Sequence, residues 1–401
     1  MSSISITPYF PFCRVHIYGQ SVKGEESTIE VRPDKRYKPI CSICKSRCVS
    51  IHAWVHRPIR DLNCCAVKVV IDCKYRKVFC TNCGCIHVED MAFFEPYMRI
   101  TNRLARYIYE LCKVLTVQDV AKHLDLDWKT VKDIDKTFLE EEYGQTNYEE
   151  LSILAVDEIS IKRGHSYMTV VMDYLTGRVV WMGEHRKTDT LMRFFEGMTD
   201  EQREKLEAIA MDMWDPYIKA VKMNVPHVKI VFDLFHMVKE FSKVIDRVRI
   251  DEYQKASEAD KRVIQGSKYL LLKNPGNIEK DEEKKHLNHL LALNETISKV
   301  MILKDKLKLI WECAVREEAQ TQIDEWCALA TSVHHPSVDV FVRRIRRYEY
   351  GILNHCEYPI HTSMLEGVNN KIKVIKRKAY GFHDNRYFSL KVIQAFSIIP
   401  I

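Results

Sequence analysis

Between residues 150 and 235 short apolar runs alternate with helix-period segments, and several of the runs end in aspartate. The runs are SILAVD at 152–157, YMTVVMDY at 167–174, RVVWMG at 178–183, EAIAMD at 207–212 and VKIVFD at 228–233. Helices are expected at 188–198 and 215–223. Runs this short, rich in β-branched residues and bounded by turn residues, read as buried strands. Tight turns join the first three, so they form an antiparallel meander. The last two follow crossover helices and add in parallel.

The acids inside this pattern carry the chemistry. Asp157 closes the first strand in LAVDEIS, and Asp212 closes the fourth in AIAMDMWDPY. Far downstream, Glu366 sits in SMLEGVNNKIKVIKR, a helix rich in Asn and Lys. Magnesium is a hard cation that takes oxygen ligands and is commonly held by a few carboxylates plus water and phosphate oxygens. Two such ions about 4 Å apart activate an attacking water or hydroxyl and stabilise the leaving oxygen. Three separated carboxylates that converge are therefore equipment for phosphoryl transfer on nucleic acid, with Mg²⁺ or Mn²⁺ as cofactor. The βββαβαβ order is that of the RNase H-like fold, where the first strand lies centrally and the fourth pairs beside it. Asp157 and Asp212 then become neighbours, and the Glu366 helix must return to the same edge. Asp233 also ends an apolar strand and competes with Asp212 for the second metal position; Asp212 is preferred because strand four carries it in that fold. Glu158 and Asp215 read as a flanking acid and a helix cap. Arg163 and His165 are candidates for the neighbourhood of a scissile phosphate, or for a solvated hairpin.

The N-terminal third reads differently. Nine of the 14 cysteines fall between Cys41 and Cys85, in a chain with no signal-peptide pattern, which favours metal over disulfides. Cys41-Ser-Ile-Cys44 and Cys80-Thr-Asn-Cys83 are two CxxC turns, enough for a closed tetrahedral S4 zinc site of structural type. Cys48, Cys85, His52, His56 and His87 are spare ligand candidates. Lys68, Lys74, Arg76 and Lys77 suggest DNA contact by this zinc ribbon. Residues 116–135, TVQDVAKHLDLDWKTVKDID, fit a helix-turn-helix. Thr116 caps the first helix with Asp119 as its acidic partner, Leu126 plugs the turn, and Asp127 caps the second helix. Trp128, Val131 and Ile134 are expected in the core. Lys129, Thr130, Lys132 and Asp133 then face outward, where a recognition helix meets base edges.

The long stretch between Asp233 and Glu366 is charged and helical by period, and includes FVRRIRRYEY at 341–350. It reads as an all-α insertion that grips DNA ends. On the Glu366 helix, Asn369, Asn370 and Lys373 share nearby faces. The run Lys371, Lys373, Lys376, Arg377 and Lys378 is suited to a DNA backbone. The expected division is 1–38 N-terminal strands, 39–90 zinc ribbon, 95–145 helix-turn-helix, 150–238 first part of the catalytic core, 239–360 insertion, and 361–401 the Glu helix and end of the core. The fold class is thus multidomain α/β: an RNase H-like mixed sheet with an all-α insertion, behind two DNA-binding modules.

Composition sets weaker bounds. Lys and Arg total 61 against 55 Asp and Glu, a net charge of +6 that agrees with a polyanionic partner. No apolar run reaches the roughly 18–20 residues that span a bilayer. The expected location is the bacterial cytoplasm, at the nucleoid.

VDEISIKRGHSYMTVVMD, the FDLFH stretch and LEGVNNKIKVIKRKAYGF resemble the DDE transposases of bacterial insertion sequences, of the ISL3 family. The resemblance covers nearly the whole chain. It implies a zinc-finger segment, a helix-turn-helix and a DDE domain, with Asp157, Asp212 and Glu366 as the three acids. It also implies strand transfer at terminal inverted repeats of double-stranded DNA, and a homo-oligomer that pairs two ends. Asp233-Leu-Phe-His236 resembles the D-x-x-H element that follows the second acid in related transposases, where His236 orients a phosphate or supports the site. An alternative is a domesticated regulator that binds DNA without cutting. It would keep both N-terminal modules but would not need the acids, and all three positions are filled. An RNase H-like nuclease acting on RNA fits the helix-turn-helix poorly, since major-groove readout suits duplex DNA.

Overall fold

The computed structural model describes residues 10, 12–96, 98–162, 166–273, 275–360 and 363–397. Arg163 and His165 lie outside the described residues. The chain divides into two compact units, Met1–Glu142 and Tyr143–Ile401.

The first unit begins with five strands: β1 (Val15–Lys23), β2 (Glu26–Pro33), β3 (Ser50–Cys64), β4 (Val67–Cys80) and β5 (Cys85–Val88). They form one mixed sheet in the order β1-β2-β4-β3, with β5 beside β4. The strands before residue 38 and those of the cysteine-rich segment therefore share hydrogen bonds. Alternation along β2, β3 and β4 buries Ile29, Val31, Ile59, Val69, Ile71, Cys73 and Tyr75 on one face, against Phe93 and Phe94. One polar side chain is buried with them. Asp61 of β3 accepts hydrogen bonds from Thr101 Oγ1 and Arg103 Nε, both at 2.7 Å, so its charge is paired inside the fold.

Three helices follow, α1 (Asn102–Val114), α2 (Val117–Leu124) and α3 (Trp128–Tyr143). Thr116 Oγ1 accepts from the Asp119 amide at 3.1 Å, and Asp127 accepts from the Lys129 amide at 2.9 Å, so both expected caps form. Val120, Ala121, Leu124, Val131 and Ile134 make the core, with Leu126 packed into the turn. Trp128 departs from expectation. It is the first residue of α3 and 47% exposed, because the buried stripe of this helix runs through Val131, Ile134, Asp135 and Leu139 instead.

The second unit opens with β6 (Ile153–Lys162), β7 (Ser166–Asp173) and β8 (Val179–Glu184). Then come α4 (Thr188–Glu196), α5 (Asp200–Glu204), β9 (Ala208–Met211), α6 (Asp215–Asn224) and β10 (Lys229–Phe232). The sheet order is β10-β9-β6-β7-β8, with β6 central. The meander β6-β7-β8 is antiparallel, while β9 and β10 lie parallel to β6. Gly177, at φ +73, makes the β7–β8 turn that a side chain would strain. One correction concerns β6. It does not end at Asp157 but runs five residues further, because Ile159 and Ile161 continue the buried alternation and pair with β7 alone. What ends at Val156 is the pairing with β9.

The sheet has two apolar faces. Leu154, Val156, Ile209, Met211, Ile230 and Phe232 face a large core that includes residues of α4, α6 and the following helices. Ala155, Ile159, Ala210 and Val231 face the other way, against α14 (Ser363–Lys378) and α15 (Asn385–Ser397) through Leu365, Val368, Ile372, Phe388 and Val392.

Between β10 and α14 the described residues are helical: α7 (Leu234–Lys255), α8 (Glu258–Ile264), α9 (Lys268–Leu272), α10 (Asp281–Leu293), α11 (Glu295–Glu312), α12 (Arg316–Thr331) and α13 (Pro336–Leu353). Trp326, Phe241 and Phe341 form the aromatic centre of this bundle. Lys304 is 2% exposed, and its ammonium donates to the carbonyls of Leu271, Leu272 and Lys273 at 2.8–2.9 Å, capping α9 where carbonyls lack partners. The bundle returns to the sheet at Gly351. A Cβ there would lie 2.4 Å from the Phe232 ring, so only glycine lets α13 approach β10 this closely. Asn354 donates to the Ile230 carbonyl at 2.9 Å and covers the edge of β10.

Candidate active site and metal centre

The register of the parallel strands builds the acidic site. Val156 stands beside Met211, and Met211 beside Phe232. The next residue on each strand path is an aspartate, so Asp157, Asp212 and Asp233 stand abreast at the carboxyl edge of β6, β9 and β10. Because Asp157 follows Ala155 in the alternation, it lies on the face covered by α14. Asn369 of α14 donates its Nδ2 hydrogen to Asp157 Oδ2, and the Glu158 amide donates to Asp157 Oδ1 at 2.7 Å. Burial, and then the charge of Asp212, push Asp157 up to about 6.

Glu366 is in the first turn of α14 and exposed. It precedes Asn369 by three residues, which puts the two on one side of the helix, about 4.5 Å apart along the axis. The buried stripe Leu365, Val368 and Ile372 fixes that orientation.

His236 joins the other two acids. Its Nδ1 lies 2.6 Å from Asp212 Oδ1 and 2.8 Å from Asp233 Oδ2. Burial opposes the imidazolium, but the hydrogen bonds and charges of Asp212 and Asp233 overrule it and raise His236 to about 10. The two carboxylates differ in what remains of them. Asp233 caps α7 through the Phe235 amide at 2.7 Å, and its side chain is 5% exposed. Asp212 is 25% exposed and does not cap a helix. Asp212, Asp233 and His236 bring ligand atoms within 4.8 Å of one another, compatible with a cation. Hard divalent ions prefer the oxygens of such a set to its nitrogen.

Two side chains at this edge were not legible as partners. Arg186 pairs with Glu158 at 2.6 Å and stacks on Tyr167 and Trp214, at 4.1 and 4.6 Å from the ring centroids. Trp214, two residues past Asp212, was a visible signal in the sequence. Asp215 is the first residue of α6 rather than its cap, and it accepts from Arg347 and Tyr348 of α13 at 2.9–3.0 Å.

The basic candidates divide into engaged and exposed groups. Lys371 donates to the Ala395 carbonyl at 2.6 Å and Lys376 to that of Ser160 at 3.4 Å, while Lys373, Arg377 and Lys378 are exposed. On α3, Lys129 is exposed, and Thr130 and Lys132 are half-buried. In FVRRIRRYEY, Arg344 pairs with Glu240, Arg346 with Asp324 and Glu349, and Arg347 with Asp215. Those three guanidiniums hold the bundle together rather than forming an open basic stripe. Arg76 is a correction of the same kind: it is buried and paired with Glu89 at 2.6 Å, so it is no DNA contact.

The cysteine quartet is closed. Cys41, Cys44, Cys80 and Cys83 bring their sulfurs within 4.8 Å of one another, with Cys41–Cys83 at 4.0 Å and Cys44–Cys80 at 3.4 Å. A tetrahedral zinc with arms of about 2.3 Å needs sulfurs about 3.8 Å apart. The fit is good, and the donors are of the right softness. Hydrogen bonds with Ser46 and Asn82 bring Cys44 down to about 5, whereas hydrogen bonding with Cys44 and burial push Cys83 up to about 12. Cys48 turns its thiol to the Ser46 carbonyl, and His56 pairs with Asp72. Among the described residues, neither spare candidate joins the quartet.

Comparisons with known proteins agree with this arrangement. A family model described as a transposase, of the ISL3 DDE type, matches residues 154–392. A second, the helix-turn-helix domain of transposase family ISL3, matches residues 89–139. The transposase for insertion sequence element IS1001 of Bordetella parapertussis is 34% identical over 376 residues, 93% of this chain and 92% of that one. The transposase for insertion sequence element IS1557 of Mycobacterium tuberculosis is 24% identical over 287 residues, 66% of this chain and 64% of that one. The chain therefore belongs to the ISL3 family of insertion-sequence transposases.

Proposed function

We propose that this transposase cuts DNA at the ends of its element and joins them to target DNA at a site formed by Asp157, Asp212 and Glu366, on an RNase H-like core. One observation carries the reading: Asp157 and Asp212 stand side by side on adjacent parallel strands, and α14 is tied to Asp157 one turn after Glu366. The strand order, with the meander's first strand central, supports the RNase H-like assignment. Mg²⁺ or Mn²⁺ held by these acids would supply activation of the attacking oxygen and charge stabilisation at the leaving one. The protein's own work is positional. Asn369 fixes the Asp157 carboxylate, and His236 holds Asp212 against Asp233. Asp233 serves as the cap and orienting acid rather than as the second metal ligand, because both its oxygens already have partners. Lys373, Arg377 and Lys378 follow the DNA backbone leaving the site.

The remaining roles follow from the family and the modules. Lys129, Thr130 and Lys132 meet the terminal inverted repeat in its major groove. Zinc at Cys41, Cys44, Cys80 and Cys83 is structural, since no coordination position is left open. The sequence-based map, from 1–38 to 361–401, serves as the domain division, with the insertion acting as a scaffold. The working form is a homo-oligomer that pairs two ends, in the bacterial cytoplasm at the nucleoid. No described helix is long and apolar enough to cross a membrane.

The test is cleavage of duplexes carrying the gene's own terminal repeat. Asp157→Ala, Asp212→Ala and Glu366→Ala each abolish Mg²⁺-dependent nicking and leave end binding near wild type. Full cleavage by Asp212→Ala together with loss in Asp233→Ala would overturn the assignment of the second acid.

A further inference from the structure

The same sheet edge carries a second feature that phosphoryl transfer does not use. A cavity of about 520 Å³ opens there, lined by Tyr167, His185, Arg186, Lys187, Thr188 and Trp214. That volume falls in the range of small-molecule pockets, roughly 300–1,000 Å³. Its walls come from β7, from the turn between β8 and α4, and from the turn between β9 and α6. Two of those segments are continuous with the acids. Trp214 follows Asp212 by two residues, and Arg186 is held by Glu158, the residue after Asp157. Alternation along β6 sends Asp157 to the α14 face and Glu158 to the other. The cavity wall and the first acid are thus about 3.8 Å apart along the backbone, on opposite sides of one edge.

The lining has two parts with different chemistry. Tyr167 and Trp214 offer aromatic faces, and Arg186 and Lys187 offer positive charge. The Trp214 ring is locked before any ligand arrives, since its Nε1 donates to the Arg186 carbonyl at 3.0 Å. The Arg186 guanidinium covers both rings, and it is 32% exposed. A flat cation held between two rings marks a place that another flat group fits. Bases stack on aromatic side chains and on guanidinium planes, and arginine and lysine meet the flanking phosphate.

We infer that this cavity receives one unstacked base of the DNA strand being cut, next to the phosphate bound at Asp157 and Asp212. The base lies on the Trp214 ring, and Arg186 and Lys187 take its phosphate. Extruding a base costs a few kcal/mol of pairing and stacking, and the preformed platform offsets that cost. It also sets the register of the cut, because a base seated on one side of the edge fixes which phosphate lies on the other. The inference rests on the assignment of Asp157 and Asp212 to cleavage.

The test uses full-length, zinc-loaded protein and duplexes of the gene's terminal repeat with 2-aminopurine at successive positions around the nick. Without added magnesium, fluorescence rises at one position with the wild type and with Trp214→Phe, which keeps a stacking face. It stays flat with Trp214→Ala. With magnesium, Trp214→Ala cleaves intact DNA about tenfold more slowly, the loss expected for one missing base stack. It recovers wild-type rates on a duplex that is abasic at the bright position. The inference is overturned if no position brightens, or if Trp214→Ala is equally slow on intact and abasic DNA, which would make the ring structural only. Failure of the acid assignment looks different: Asp157→Ala would still cut, while the fluorescence signal would be unchanged.

Discussion

The cysteine quartet and the acidic edge are both ligand clusters, and they are finished to different degrees. The quartet comes from two local turns, and its sulfurs already have the spacing of a zinc tetrahedron. The acidic edge comes from three strands and a distant helix, and its charges are crowded rather than balanced. Asp157 is pushed up to about 6 by burial and by Asp212, and His236 is drawn up to about 10 in answering Asp212 and Asp233. A structural site is closed and lowers the energy of its fold, whereas a working site keeps unmet charge for a ligand that comes and goes.

That contrast breaks most easily at the quartet. Structural zinc in small domains contributes about 10–16 kcal/mol of apparent binding free energy, which is also folding free energy. Cys80→Ser is expected to lose its zinc and unfold the ribbon, seen as loss of bound metal and of amide protection in β4 and β5. The acidic edge behaves oppositely. Asp157→Asn abolishes cleavage, by roughly a thousandfold or more. Yet the metal-free variant is expected to melt no lower than wild type above pH 6. The sign follows from the shift. A carboxyl raised from 3.8 to about 6 favours the fold at acid pH, and that contribution is lost as the pH rises through about 6. A neutral amide has no such loss. A melting temperature that falls steeply for Asp157→Asn at pH 8 would show that the edge is structural after all.

A smaller effect sharpens the comparison from the side of the supporting residues. Asn369→Ala removes the hydrogen bond to Asp157, and partners of this kind are worth about 10- to 100-fold in metal affinity or activity. The expected result is a rise in the Mg²⁺ concentration for half-maximal cleavage, with end binding unchanged. An unchanged Mg²⁺ requirement would show that α14 reaches the site through Glu366 alone.

Much of this arrangement was legible in one dimension. Apolar runs of strand length gave the order of β6 to β10, and that order implied that Asp157 and Asp212 are neighbours. CxxC spacing gave the quartet because the chemistry is local. Partners between distant segments were not legible. Arg76 looks like a surface cation until Glu89 is folded against it, and the arginines of α13 look like a DNA stripe until Glu240, Asp324 and Asp215 meet them. Trp128 was assigned to the core by a period that starts one turn too early. The overrun of β6 past Asp157 had a signal, the Ile159 and Ile161 alternation, but the end of the apolar run obscured it. The pairing of Arg186 with Tyr167 and Trp214 joins three segments that nothing in the sequence relates.

The finest distinction lies inside the acidic edge, between Asp212 and Asp233. Both are one residue past a parallel strand and both touch His236, so position alone does not separate them. Their second oxygens do. Asp233 Oδ1 accepts the Phe235 amide and starts α7, a job that an asparagine carbonyl does equally well. Asp233→Asn is therefore expected to keep its melting temperature and most of its cleavage, losing only the charge that His236 answers. Asp233→Ala loses the cap as well, at about 1 kcal/mol. Asp212→Asn has no cap to preserve and loses an oxygen donor that a hard cation requires. If Asp233→Asn were as dead as Asp212→Asn at unchanged stability, the cap would be incidental. Asp233 would then belong with the metal ligands, and His236 would be holding two working carboxylates rather than one.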